Sequence, residues 1–319
     1  MLHPTIEDAW SDFRRSLARK GRSEHTVGIY RKSFESFWRW ADDHQVPPDP
    51  GRVRHGDINA WVDWMLEQPA TRGGRVQYDT DPETGERTPR MVNRNTVRIR
   101  WQNLRPFFSW WAGEMEEPNP FDRADVPRQD DTAPDIVRLE DVRLVLHAAN
   151  GRDFEGYRDT ALIRLLLDTG ARVGELVAMT TESWDRRADV VTLTGKTGTR
   201  QVPLSPSTGE AMARYLRVRP RHPRARAAAL WLGLRGPMTA GGVAQMLYRR
   251  CDQAGVPRIN PHALRHTWAH EMKRDGAGES DLMALGGWTT PTMVHRYGKS
   301  AAVARAHETA KRISLGDRL

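Results

Sequence analysis

The residues of this 319-residue chain best suited to chemistry are cations and a histidine in its second half. Arg172 lies in the segment 169–175, and Arg265 lies in the segment 262–267. Two arginine forks can hold the oxygens of a phosphodiester and stabilise the charge that grows on them during in-line attack, without a metal ion. Because His262 and Arg265 are three residues apart, a helix would present both on one face.

A tyrosine and a lysine complete this set. A phenol such as that of Tyr297 has a pKa of about 10, and needs nearby positive charge and a proton acceptor such as histidine to ionise. A leaving alkoxide needs a proton donor, and Lys196 is a flexible cation that can reach it. A covalent phosphotyrosine would conserve the bond energy, so that rejoining needs no ATP. Together these residue types could cleave and rejoin a phosphodiester, although each of them singly occurs in any basic protein.

Gly195-Lys196-Thr197 looks like the end of a phosphate-binding Walker A loop. That motif requires another glycine five positions before Gly195, and Val190 stands there. The lysine is also predicted to lie on a hairpin rather than at a turn from strand to helix. Nucleotide binding is therefore rejected.

His262, His266 and His270 are spaced four residues apart on a predicted helix, a spacing that could ligate zinc. Arg265 lies among them, and its fixed positive charge opposes a dication. Position 263 also lacks the glutamate of the metalloprotease motif. Histidines packed in the core are the favoured alternative, and no metal site is predicted.

The order and spacing of these segments resemble those of the tyrosine recombinase (phage integrase) family. Singly, each segment is common, but five separated elements agree over residues 135–300. Residues 6–116 are similar, with much weaker motifs, to the helical core-binding domain of that family. The five elements are the segment 169–175, Lys196 in a hairpin, the segment 262–267, the segment 285–288, and Tyr297 nine residues after Trp288.

The resemblance implies a role for each matching residue. Arg172 and Arg265 match the arginines that hold the scissile phosphate. Lys196 matches the general acid toward the leaving 5′-oxygen, and His262 matches a proton shuttle. Tyr297 matches the nucleophile that forms the phosphotyrosine intermediate.

Three further positions belong to the same implied site. Glu175 matches an acidic position that supports it, and His266 is a second supporting residue. Trp288 occupies a position that is more often histidine, although some family members carry tryptophan there. An indole N–H donates a hydrogen bond but cannot shuttle protons. We expect Trp288 to contact a phosphate oxygen and to pack beneath the site.

The resemblance also implies a fold and an assembly. The fold would be mostly α with a small β-sheet: an N-terminal helical core-binding (SAM-like) domain and a mixed α/β catalytic domain, together clamping duplex DNA. The activity would be site-specific DNA recombination (integration) on double-stranded DNA by a homotetramer, through a Holliday junction and without a cofactor. A directionality factor is left open as a further partner. A C-terminal helix over residues 301–313 would dock on a neighbouring protomer or pack on its own domain.

Two other functions stay open from the residues. A type IB topoisomerase shares the chemistry but relaxes supercoils without synapsis of specific sites. A noncatalytic DNA-binding protein would keep the basic surface and would not need Tyr297. Relaxation of a plasmid that lacks any target site would identify the topoisomerase. The absence of a covalent adduct would identify the noncatalytic protein.

The hydrophobic pattern predicts the elements that must position these residues. Helices are expected in 6–44, 57–66, 93–114, 139–150 and 159–169, and the region 207–319 is expected to be mostly helical. Residues 190–194 and 200–204 read as a β-hairpin, and the polar stretch 69–90 as an exposed excursion. The proline-rich stretch 117–135 predicts a linker, residues 122–134, between a DNA-binding domain, 1–121, and a catalytic domain, 135–319. The eight tryptophans before residue 126 suggest an aromatic core for the first domain.

Composition favours a polyanionic partner. The net charge is +8, with 19 Lys+Arg against 20 Asp+Glu in residues 1–125 and 30 against 21 in the rest. Such a basic excess is typical of nucleic-acid binding, although an arginine-rich proteome gives the same balance.

No apolar run approaches the ~20 residues of a membrane span, and no signal peptide is visible. Cys251 is the single cysteine, so that a reducing cytoplasm, in association with the nucleoid, is the expected location.

Arg94, Arg98 and Arg105 fall near one face of the predicted helix 93–114, opposite much of its aromatic face. A helix with this charge pattern could enter a DNA groove, or it could simply present a solvated face. We predict that these three arginines contact DNA.

Overall fold

The computed structural model describes residues 6–81, 83–130, 135–292 and 294. The chain divides into two compact units, Met1–Asp131 and Thr132–Leu319. In both units helices predominate and the sheets are small, which confirms the expected fold class. No described helix is long and apolar enough to cross a lipid bilayer.

The first unit is built on helices that surround an aromatic core. Six of its eight tryptophans are buried, among them Trp61 and Trp101, and they pack with Phe37, Phe107 and Phe108. The expected aromatic core is therefore confirmed. Ser23 caps the second helix, since its hydroxyl accepts a hydrogen bond from the backbone N–H of Thr26 at 3.3 Å. The helices are Ile6–Arg19 (α1), Glu24–Asp43 (α2), His55–Leu66 (α3) and Arg94–Met115 (α4).

A double hairpin extends from the first unit between α3 and α4. It pairs Thr71–Arg72 (β1) with Arg75–Val76 (β2), and Tyr78–Thr80 (β3) with Arg87–Pro89 (β4), both antiparallel. Its base is closed by the backbone hydrogen bond from Val92 to Gln68, at 2.9 Å. We call residues 69–91 the β-arm. The sequence predicted this exposed excursion but not its strands.

The first residues of the expected linker contact helices of the first unit. Asn59 on α3 and Asp125 exchange two hydrogen bonds, at 2.8 and 3.0 Å. Arg98 on α4 donates from Nη1 to the carbonyl oxygen of Pro127 at 2.7 Å. Residues 123–127 are therefore bound to α3 and α4.

The second unit packs helices around one three-stranded antiparallel sheet. Its strands are Trp184–Asp185 (β5), Val190–Gly195 (β6) and Gly198–Pro203 (β7), in the order β5-β6-β7. Leu193 lies opposite Arg200 in the register. A small hairpin follows, Leu232–Gly233 (β8) with Gly236–Pro237 (β9). The helices are Leu139–Ala149 (α5), Phe154–Thr169 (α6), Val173–Val177 (α7), Pro206–Val218 (α8), Ala240–Ala254 (α9), Pro261–Arg274 (α10) and Glu279–Gly286 (α11).

Candidate active site

The end of α6 positions the first arginine. Gly170 ends this helix in the left-handed conformation, with φ of 56°, and a Cβ there would overlap the indole of Trp268. Only glycine tolerates both conditions without strain. The turn delivers Arg172 to the start of α7, where a third of its side chain (34%) stays exposed. Arg172 is therefore open to an anion from solvent.

Glu175 organises the cations around it. Its side chain is 3% exposed and accepts hydrogen bonds from the backbone N–H and the Nη1 of Arg172, at 2.9 and 3.0 Å. Arg200 on β7 binds both of its oxygens, through Nη1 at 2.9 Å and Nη2 at 2.8 Å. Burial alone would raise the pKa of Glu175, but these hydrogen bonds and the charge of Arg200 outweigh it and lower the pKa to about 2. The carboxylate is therefore ionised at neutral pH.

Arg200 is a residue of this cluster that sequence reasoning missed. It lies two residues before buried Val202, on the same side of β7, so it points inward while Gln201 is exposed. An arginine on the inward side of a strand is costly unless it is paired. That pattern was the available signal, but the partner, Glu175, lies 25 positions away in the sequence.

The β6–β7 hairpin brings Lys196 to the same region. Gly195 lies so close to Glu175 that a Cβ there would approach the glutamate Cγ to 2.9 Å. Lys196 itself is exposed in the turn. The next residue, Thr197, donates from its hydroxyl to the carbonyl oxygen of Gly287 at 3.3 Å. The hairpin thus holds the lysine beside the arginine cluster with its side chain facing solvent.

Helix α10 supplies the second arginine. Asn260 caps this helix by accepting from the backbone N–H of Ala263 at 2.9 Å. One turn later Arg265 is 2% exposed, and it donates from Nη1 to the carbonyl of Gly170 at 2.5 Å and from Nη2 to that of Gly286 at 2.6 Å. Arg265 therefore joins the end of α6 to the end of α11.

The last turn of α11 is where the cluster converges. Three successive carbonyl oxygens accept from arginines: Leu285 from Arg200 Nε at 2.6 Å, Gly286 from Arg265, and Gly287 from Arg172 Nη2 at 3.2 Å. Unpaired carbonyls at a helix C-terminus carry partial negative charge, which favours cations there. The helix end thus orients all three guanidinium groups.

Trp288 packs directly on this cluster. The guanidinium carbon of Arg265 lies 4.4 Å from the ring centroid of Trp288, within cation–π range. Trp288 is 7% exposed and also lies against Trp268, with centroids 5.9 Å apart. This contact agrees with a packing role beneath the site, and the contact of Trp288 with a phosphate oxygen stays a prediction.

The histidines of α10 lie on one side of the helix. The ring centroids of His262 and His266 are 4.1 Å apart, with His262 exposed and His266 half-buried. His270 is half-buried one turn further on. Across residues 6–81, 83–130, 135–292 and 294, no group of three or more His, Cys, Asp or Glu side chains could hold a metal ion.

Two predictions lie outside the described residues. Tyr297 is one, and the C-terminal helix over residues 301–313 is the other. Val294, three residues before Tyr297 in the sequence, is fully buried with Leu282, Trp268 and Trp288. The chain is therefore anchored beside the cluster just before the predicted nucleophile.

The three arginines predicted to contact DNA differ in their surroundings. Arg94 and Arg105 are exposed on α4, and the Arg105 guanidinium lies 5.9 Å from the ring of Trp101. Arg98 is half-buried, and its Nη1 donates a hydrogen bond to the carbonyl oxygen of Pro127. Arg94 and Arg105 therefore remain available to DNA, whereas Arg98 has a structural contact in addition.

The family model of the phage integrase family matches residues 136–303. Tyrosine recombinase XerC of Mycobacterium sp. (strain JLS) is 26% identical over 318 residues, covering 96% of this chain and 99% of the relative. Among solved structures, the Tn1549 transposon integrase in complex with transposon right end DNA aligns with a TM-score of 0.72 at 20% identity, covering 98% of this chain and all of that one. A lambda integrase tetramer bound to a Holliday junction aligns with a TM-score of 0.67 at 15% identity, covering 93% and 78%.

The family model covers more than half of the chain, including the arginine cluster of the second unit. The chain therefore belongs to the phage integrase family. It is a site-specific tyrosine recombinase, an enzyme class that acts by DNA cleavage and religation. The topoisomerase and the noncatalytic protein are not favoured by these matches.

Proposed function

We propose that Tyr297 cleaves and rejoins duplex DNA at a phosphodiester held by Arg172 and Arg265, with Lys196 and His262 moving the protons. The observation that carries this proposal is the convergence of both arginines and the Lys196 hairpin on Gly286 and Gly287. The reaction needs five residues from four separate segments of the sequence, and four of these residues lie on elements that meet at the end of α11.

The proposed reaction is a transesterification. The phenolate oxygen of Tyr297 attacks phosphorus in line, the bond to the 5′-oxygen breaks, and a 3′-phosphotyrosine forms. His262, on the exposed side of α10, takes the phenol proton. Lys196 gives a proton to the leaving 5′-oxygen. Religation runs the same steps in reverse, so the reaction consumes neither a metal ion nor ATP.

Glu175 and Arg200 act on this reaction through Arg172. The Glu175 carboxylate fixes one side of the Arg172 guanidinium, and Arg200 holds that carboxylate in place. A preorganised guanidinium stabilises transition-state charge without a reorganisation cost at the moment of reaction. We therefore assign Glu175 and Arg200 as positioning residues, and His266 as a supporting residue next to His262.

The assembly we propose is a homotetramer on two DNA sites. The lambda integrase, whose fold this chain shares, was solved as a tetramer on a Holliday junction. One tyrosine per protomer cuts one strand, so exchange of both strands between two duplexes requires four. We place this activity in the cytoplasm, at the nucleoid.

The test uses a nicked suicide substrate, which traps the covalent intermediate because the strand beyond the cut diffuses away. The wild-type chain should give a protein–DNA adduct on a denaturing gel, and Tyr297→Phe should give none while its affinity for DNA in a gel-shift assay is unchanged. Tyr248→Phe, which removes a hydroxyl from the half-buried tyrosine of α9, is the matched control and should form the adduct. An adduct that persists in Tyr297→Phe would refute the assignment.

A further inference from the structure

A basic cavity lies within the first unit, at the base of the β-arm. It has a volume of about 410 Å³ and is bounded by α2, α3, α4 and the base of the β-arm. Three cations line it: Lys32 and Arg39 from α2, and Arg100 from α4. Ser36, Trp64 and Gln68 contribute neutral polar groups to the same wall.

Arg100 is the unusual member of this cavity. Its side chain is half-buried, and its Nη1 donates to the Ser36 hydroxyl at 3.4 Å and contacts the Met65 sulfur at 4.0 Å. Within the described part of the chain, no carboxylate lies within ion-pair distance of Arg100. Burial and then the like charge of Arg39 lower the pKa of Arg100. A half-buried cation that faces another cation is stabilised by an anion that lies between them.

Among the described residues, the one carboxylate that lines the cavity is already paired with an arginine. Glu35 lines the cavity, but it accepts from Arg31 Nε at 2.7 Å, and Arg31 is also held by Glu7. Lys32 and Arg39 are exposed, and neither has an ion pair with a described residue. The cavity therefore presents three positive charges and one carboxylate that is paired with Arg31, a cation outside the cavity wall.

The helix geometry makes the cations converge. Lys32, Ser36 and Arg39 are spaced by four and three residues, so they follow one face of α2. Arg100 reaches this face from α4, as its hydrogen bond to Ser36 shows. An arginine fork and a lysine ammonium together suit a tetrahedral anion with several oxygens.

We propose that this cavity binds one backbone phosphate of the bound DNA, shared by Lys32, Arg39 and Arg100. The inference rests on the proposed function, because the phosphate belongs to the DNA that the chain cleaves. Such a contact carries no base specificity: it fixes the register of the first unit on the duplex. The β-arm forms one wall of the cavity, so its base is part of the DNA-binding surface.

The test compares the salt dependence of DNA binding in paired variants of the full chain. Lys32→Ala/Arg39→Ala removes two charges from the cavity, and Lys20→Ala/Arg22→Ala removes one lysine and one arginine that are exposed outside it. Each phosphate contact contributes roughly 0.9 to the log–log slope of affinity against salt. The cavity variant should flatten the slope by roughly 0.9, so that its defect shrinks about 3.5-fold between 50 and 200 mM salt. The control should keep the wild-type slope.

Adding Arg100→Gln to the cavity variant distinguishes a shared phosphate from separate ones. Glutamine keeps a donor for Ser36, and it also removes the charge that repels Arg39, so the fold should be retained. For a shared phosphate the triple variant should lose no more than the same slope of roughly 0.9 in total. A total loss of about 2–3 would mean independent contacts, and an unchanged slope, or an equal change in the control, would mean no site; each result overturns the proposal.

Formation of the covalent adduct separates this inference from the proposed function. At saturating protein, all cavity variants should still form the adduct on a nicked substrate, because the cavity lies outside the reacting groups. If the wild-type chain forms no adduct, the proposed function fails. If the wild-type chain forms it and the slopes are unchanged, the phosphate site alone fails.

Discussion

Replacing Glu175 with glutamine should lower the free energy of unfolding of the second unit by roughly 3 kcal/mol at pH 7. The carboxylate is nearly inaccessible and is bound by Arg200 and Arg172, which together hold its pKa at about 2 against an ordinary 4.5. A difference of about 2.5 between the two pKa values, at about 1.4 kcal/mol each, gives this figure. Glutamine preserves the shape but removes the charge that Arg200 needs.

The dependence of the free energy of unfolding on pH tests the sign of this contribution. Because the pKa of Glu175 is depressed in the folded state, the stabilisation is complete above the unfolded value of 4.5 and is lost as pH falls toward 2. The difference between wild type and Glu175→Gln should therefore shrink from roughly 3 kcal/mol at pH 7 to about 1 kcal/mol at pH 3. Urea unfolding followed by circular dichroism at several pH values measures it.

Glu182→Gln provides the matched control, because Glu182 is an exposed glutamate of the same unit. Its free energy of unfolding should stay within about 0.5 kcal/mol of wild type at every pH. A difference for Glu175→Gln that is independent of pH, or smaller than about 1 kcal/mol at pH 7, would refute the electrostatic account. Slower formation of the covalent adduct, with DNA affinity unchanged, would show in addition that Glu175 positions Arg172.

Further predictions concern the reaction and the DNA contacts. Lys196→Ala should slow cleavage by about 10²–10⁴-fold with little effect on binding, and a substrate with sulfur as the leaving atom should restore the rate; failed rescue would make Lys196 only a phosphate contact. Cleavage should persist in excess EDTA, because the arginines supply the positive charge; loss that magnesium or zinc reverses would point to a metal instead. Arg94→Ala/Arg105→Ala should lower the log–log salt slope of DNA affinity by up to about 2, and an unchanged slope would mean that this face of α4 is solvated. Arg98→Ala should also lower the free energy of unfolding, because it removes the hydrogen bond to Pro127; equal thermal stability would contradict this.

Local signals in the sequence predicted the elements of the second unit well. Gly170 follows the last residue of α6 and Pro261 is the first residue of α10, and a left-handed cap and a first-turn proline are properties of single residues that a sequence displays. The start of α6 was placed too late, although Asp153 is a good N-cap that accepts from the backbone of Gly156. The predicted β-hairpin was confirmed, with Lys196 in its turn.

Contacts between distant segments were beyond prediction from residue type alone. The pairing of Glu175 with Arg200 depends on the β6–β7 register and on the placement of α7. The stacking of Arg265 on Trp288 depends on how α10 and α11 pack. The strands of the β-arm are two or three residues long and polar. They therefore lack the alternation of apolar and polar residues that identifies a half-buried strand.

Two buried hydrogen bonds of Arg265 are made to neutral carbonyl oxygens, and these bonds should respond to ionic strength differently from the exposed charges that meet DNA. At 0.1 M salt, interactions between exposed charges more than about 10 Å apart are largely screened, whereas a hydrogen bond inside the protein is hardly affected. Concentrated salt should therefore strip DNA from the surface and leave Arg265 joined to Gly170 and Gly286. Once the covalent intermediate has formed, the rate of resealing should vary little with salt, while the capture of new DNA falls steeply.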